Sequence, residues 1–225
     1  MANQLDLEEQ EQLDQIKHFW KQYGNAITWA LIAILAVFAS WNFYQYWQRN
    51  QAAQAAALFD EVERSVASAD PGRMERVFGE MKDRFGGTVY AQQSALLIAK
   101  QLLASGKVDS AKAALTWLSE QSVDPGYQAV AKLRLAAILM DAKNYDAALA
   151  LLSGVFPPEF EGLVADRKGD VMSLKSEKSK AIAEYEKAYR LLDAGTEYRR
   201  LVEVKLNALG TDVVRPDQVA LASGK

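Results

Sequence analysis

The 225-residue sequence contains no cysteine and one histidine, His18. The first absence excludes disulfides, thiol nucleophiles and thiolate metal sites. With a single imidazole as well, no Ser-His or Cys-His pair and no metal-ligand cluster can be assembled, so no cofactor or metal is expected. His18 reads as a polar residue tolerated on an interfacial helix. A Walker pattern is also missing, and Gly86-Gly87 is a helix breaker rather than a phosphate cradle. Charge of one sign is not in excess: 26 basic residues face 29 acidic ones, for a net −3. No basic block stands out, which argues against nucleic acid as a partner. Catalytic residues are therefore not expected, and the chain reads as a non-enzyme.

One stretch lacks charge altogether. No Asp, Glu, Lys or Arg occurs between Gln22 and Gln48. Within it, Ala26 to Trp47 is long enough as a helix to cross the roughly 30 Å hydrocarbon core of a bilayer. Trp41, Phe43, Tyr44, Tyr46 and Trp47 cluster at one end, and Trp20 and Tyr23 flank the other, as an aromatic belt would. A buried helix of a soluble domain and a cleaved signal peptide are the alternatives. Against the signal peptide stand the long leader with Asp6, Glu8, Glu9, Glu11 and Asp14, and the aromatic cluster just after Val37-Phe38-Ala39. Lys17 and Lys21 lie close to one end of the stretch and only Arg49 close to the other. The positive-inside rule then leans towards a cytoplasmic N-terminus.

The remainder divides by helical periodicity and breakers. Residues 1–25 read as a short amphipathic cytoplasmic helix, 26–47 as the transmembrane helix, 48–209 as a helical-repeat domain and 210–225 as a loose tail. Residues 49–69 continue the helix, Asp70-Pro71-Gly72 breaks it, and Arg73 to Phe85 forms a second helix ended by Gly86-Gly87. From Tyr90 the chain repeats itself. Tyr90, Tyr127 and Phe160 correspond, as do Ala111, Ala148 and Ala181, at spacings of 37 and 33 residues. These bracket the ~34 of a tetratricopeptide repeat. Each copy places a small residue in its first helix (Ala99, Ala136, Gly169) and another in its second. Large apolar residues surround them: Leu102, Leu139 and Met172, then Leu115, Leu152 and Tyr185. No copy buries this face alone, so neighbours must stack. The third copy departs from the pattern, with Lys168 where the others carry Ile98 and Leu135, and with no glycine in Lys175-Ser176-Glu177-Lys178. A last helix over Thr196 to Leu209 would close the stack. The fold class is thus all-α: a single N-terminal transmembrane helix followed by a tetratricopeptide-repeat-like α-solenoid.

Such a stack presents a face of first helices to a protein segment. By position in the repeat that face comprises Gln93, Leu96 and Lys100 in the first copy, Val130, Leu133 and Ala137 in the second, and Leu163, Asp166 and Asp170 in the third. Leu96 and Leu133 read equally well as core. Asp166 and Asp170, one helical turn apart, read as helix-face acids before an acid/base pair, and Lys175, Lys178 and Lys180 as a solvated face. A stalk or assembly factor for another cell-envelope complex is the competing function on these features.

At this point the sequence resembles a known family, the YfgM-like ancillary subunits of the bacterial SecYEG translocon. The residues that carry the resemblance are Gln15-Ile16-Lys17-His18-Phe19-Trp20 and Tyr23-Gly24-Asn25-Ala26 ahead of the span. Leu133-Arg134-Leu135-Ala136 and Val164-Ala165-Asp166-Arg167-Lys168-Gly169-Asp170 carry it in the repeats. The resemblance implies an inner-membrane protein with a cytoplasmic N-terminus and a periplasmic helical domain. It further implies association with SecYEG and with a PpiD-like periplasmic chaperone, and a part in passing exported client proteins to periplasmic chaperones.

Overall fold

A computed structural model describes residues 7–211, and among them every regular element is helical. The chain divides between Ala53 and Gln54 into two compact units. The loose tail expected over 210–225 lies outside the described residues beyond Thr211.

Helix α1 (Leu7–Ala67) is continuous. The separate short helix expected over residues 1–25 is not a separate element. Its boundary at Gly24-Asn25 contains no proline, so the backbone ladder loses no donor, and a lone glycine costs a helix only about 1 kcal/mol. Within the N-terminal unit, Leu31, Ile34, Leu35 and Phe38 are each more than half exposed, and no part of the apolar window is buried. A core helix of a soluble domain would be covered by its own chain. This helix is long and apolar enough to cross a membrane.

The second unit begins with the C-terminal turns of α1 and continues through α2 (Pro71–Phe85), α3 (Val89–Ala104), α4 (Val108–Gln121), α5 (Pro125–Asp141), α6 (Tyr145–Leu152), α7 (Glu161–Leu174), α8 (Lys178–Leu191) and α9 (Glu197–Ala208). Asp70-Pro71-Gly72 starts α2 rather than preceding it. The Asp70 carboxylate accepts the Arg73 backbone N–H at 3.2 Å, and Pro71 occupies the first turn, where no donor is needed. Asp124 caps α5 in the same way through Gly126 and Tyr127, at 2.7 and 3.3 Å. Glu61 in α1 accepts from Arg73 in α2 at 3.0 Å, and that hydrogen bond holds its carboxyl below the usual range.

Consecutive helices pack against each other through three successive cores. Val62, Met74, Phe78, Ile98, Leu115 and Leu118 belong to the first. Ala136, Ala148, Leu152 and Val171 build the second, and Ala181, Tyr185, Val202 and Leu206 the third. The small positions read from the repeat are the close crossings. Ala99, Ala111, Ala136, Ala148 and Ala181 are buried to 1% or less. At Gly169, an added Cβ would lie 2.5 Å from the Tyr185 ring.

One backbone detail fixes the register of the whole stack. Positive φ occurs at Ala69, Gly106, Lys143, Ser176 and Gly210, always just past a first helix. The residue after the last four donates its N–H back five residues: Lys107 to Leu102, Asn144 to Leu139, Glu177 to Met172 and Thr211 to Leu206, at 2.8–3.0 Å. These are left-handed helix ends closed by a Schellman-type bond. Among the described residues there are therefore five first helices, not three. The α1–α2 pair is a further repeat, and α9 is the first helix of one more. Lys143 and Ser176 adopt a conformation that costs a residue with a Cβ about 1 kcal/mol. Lys143→Gly and Ser176→Gly should each raise the melting temperature by about 2–4 °C, measured by circular dichroism. A fall would mean that their side chains contribute more than the strain they bear.

Candidate interaction face and the network that closes it

The nine face residues fall at three equivalent places of the repeat, and the structure treats the places differently. Gln93 and Lys100 are exposed on α3; Val130 and Ala137 on α5 and Leu163 on α7 are half-buried. The middle place, Leu96, Leu133 and Asp166, is the seam between successive first helices. Leu96 packs on the first core and Leu133 on the second. Arg134 of α5 reaches across to donate to the Leu96 carbonyl at 3.3 Å.

Asp166 corrects the expectation of an open face in the third copy, because it is fully buried. Helix α9 lies against it. Lys205 Nζ donates to both Asp166 carboxylate oxygens at 2.7 and 2.8 Å and to Asp170 Oδ1 at 2.7 Å. Tyr198 Oη donates to Asp166 Oδ2 at 2.6 Å, and Tyr185 Oη to Asp170 Oδ1 at 2.8 Å. Arg167 Nη1 stands 3.6 Å from Asp170 Oδ2, and Lys205 sits 5.3 Å from the centre of the Tyr185 ring. Burial, and then the hydrogen bond to a carboxylate, push both tyrosine hydroxyls up from their ordinary range, so they remain donors.

Chemically, this arrangement holds rather than reacts. Both carboxylates are occupied by a shared ammonium and by phenol donors, which suits a latch between α7, α8 and α9. Of the basic residues singled out beside it, Lys175 meets Asp146 at 2.6 Å and Lys180 meets Glu177 at 2.6 Å. No group of three or more His, Cys, Asp or Glu residues that could hold a metal ion occurs among the described residues. The sequence signal for the latch was Asp166 and Asp170 at a one-turn spacing. Its other half, Lys205, lies 39 residues further on and carried no local mark.

The whole-chain comparisons agree with this architecture. A model of a tetratricopeptide repeat-like domain matches residues 17–211. The chain is 29% identical over 204 residues to an ancillary SecYEG translocon subunit of Neisseria gonorrhoeae, covering 90% of this chain and 98% of that protein. A protein of the same name from Haemophilus influenzae is 28% identical over 90% of this chain and 98% of its own length. One from Escherichia coli K12 is 24% identical over 89% and 96%. The relatives carry the family name that the resemblance in the sequence implied. No solved structure is a significant match.

Proposed function

Since the chain belongs to the tetratricopeptide repeat-like domain family, we propose that it works as an ancillary subunit of the SecYEG translocon. The apolar part of α1 tethers it to the bacterial inner membrane, with the N-terminus in the cytoplasm and the repeat domain in the periplasm. There the repeats receive exported proteins and, together with a PpiD-like chaperone, pass them to periplasmic chaperones. The observation that carries this reading is the near-complete span of the match. Relatives named as translocon subunits align over 96–98% of their own length, so anchor and repeats occur in one order. Tethering adds the physical advantage of a high effective concentration beside a membrane partner.

The open part of the first-helix face serves as the contact surface: Gln93 and Lys100, with Val130, Ala137 and Leu163. Asp166 and Asp170 are left out, because the latch consumes them. With no native cysteine, single substitutions give a clean test. Lys100→Cys should react with a membrane-impermeant maleimide in intact spheroplasts, and Glu11→Cys only after permeabilisation. The wild-type chain should co-purify from mild detergent with SecY, and Lys100→Glu should reduce crosslinking to partners several-fold at unchanged melting temperature. The reverse labelling pattern, or absence of SecY from the purified material, would refute the reading and favour a scaffold of another envelope complex.

A further inference from the structure

The third copy's departure at Lys168 creates a site. At the same repeat position Ile98 is fully buried and Leu135 is 7% exposed, both in the first core. Lys168 instead lines a pocket of about 150 Å³ between the end of α6, α7 and α8. Lys187 of α8 lines it too, and stands where the first copy has Trp117. In the first copy the groove beside Ile98, about 240 Å³ and including Phe78 and Leu102, is mainly apolar.

At these two repeat positions lysines stand where the first copy has the aliphatic Ile98 and the aromatic Trp117, whose ring meets Phe78 edge-on at 5.5 Å. Room for them comes from α6, which stops at Leu152 after 8 residues, while α4 and α8 run for 14. The repeat position of Trp117 is Gly154 in the second copy, so no side chain fills the space beside α6.

Lys168 is half-buried and Lys187 exposed at the rim, and neither ammonium has an ion pair or hydrogen bond among the described residues. Glu161 is the one acid lining the pocket, which leaves it with two cations to one anion. Two like charges sharing a small recess cost energy unless a counter-charge joins them. Leu152, Phe156 and Val164 form its apolar margin.

We infer that the Lys168–Lys187 pocket binds the carboxylate of an acidic side chain in a partner protein segment. One added carboxylate balances the second lysine. A dianionic phosphate would overshoot and meet Glu161, so the charge count selects a single negative charge. The apolar margin accepts aliphatic neighbours of that acidic residue, which free acetate lacks. The site follows from the repeat alone, whichever complex the chain joins.

The test uses the full chain in detergent with its lysines ¹³C-dimethylated, so that individual ammonium groups report by NMR. Acetyl-Leu-Glu-Leu-amide is titrated beside acetyl-Leu-Gln-Leu-amide, acetate and inorganic phosphate. Saturable shifts are expected at Lys168 and Lys187 and not at Lys143, with the Glu peptide at least tenfold tighter than the Gln peptide and tighter than acetate. Lys168→Ile restores the residue type of the first copy and should keep the fold while weakening Glu-peptide binding at least tenfold. Lys187→Gln, on the exposed side of α8, should do the same and carries the test if the first variant does not fold. Equal response to the two peptides, unsaturable shifts, or affinity unchanged in Lys187→Gln would overturn the inference. Phosphate binding tighter than the Glu peptide would also overturn it, assigning the pocket to a phosphate group.

Discussion

Replacing Lys205 by methionine should lower the stability of the repeat domain by about 3–5 kcal/mol, among the largest effects available to a single substitution here. Lys205 itself is partly exposed, but it is the shared counter-charge of Asp166, whose side chain is fully buried, and of Asp170. Methionine keeps the length and apolar stem of lysine while removing the ammonium. Asp166 is then left buried with only the Tyr198 hydroxyl as donor. The loss is dominated by that stranded carboxylate rather than by the intrinsic worth of the ion pair. Arg200→Met provides the comparison on the same helix. Its pair with Glu197 is exposed on both sides, and its removal should cost no more than about 1 kcal/mol. Hydrogen exchange should show where the damage falls, with α9 and α7 losing protection and α2 to α4 retaining it. Equal costs for the two variants would show that Asp166 finds water or another donor once Lys205 is gone.

What the sequence made legible follows from what repeats locally. Small residues at Ala99, Ala136 and Gly169, and at Ala111, Ala148 and Ala181, marked close helix crossings because only a missing side chain lets two backbones approach. The α1–α2 pair escaped recognition as a repeat because those places hold Val62 and Met74, both fully buried. A wider crossing filled by larger side chains obeys the same geometry without the same signature. Conversely, Ser176 adopts the positive φ of Gly106 although its loop has no glycine. The stacked helices impose the turn, and local preference yields. The candidate face was legible only by register. Sequence spacing put Asp166 at the repeat position of Leu96 and Leu133, but could not show that α9 returns to cover it. That contact joins residues 39 positions apart, and no periodicity within α7 encodes it.

The second large effect is expected in the first core. Leu115→Ala should cost about 2–5 kcal/mol, through lost burial and the cavity left behind. Leu115 is fully buried, among Phe78, Ile98, Leu102 and Leu118 of the same cluster. Its repeat partners Leu152 and Tyr185 belong to the second and third cores respectively. Because the stack is nearly one-dimensional, each helix pair is stabilised by itself and its neighbours. The penalty should therefore stay local. Hydrogen exchange in Leu115→Ala should rise across α3, α4 and the start of α5, while α8 and α9 keep wild-type protection. Denaturant unfolding should broaden as the two ends of the stack lose their common midpoint. Lys205→Met perturbs the opposite end, so the pair of variants brackets the stack. If the domain is instead one cooperative unit, both variants will show the same uniform loss of protection and a sharp transition at lower denaturant. The three separate cores favour the local outcome, since no single cluster runs from α2 to α9.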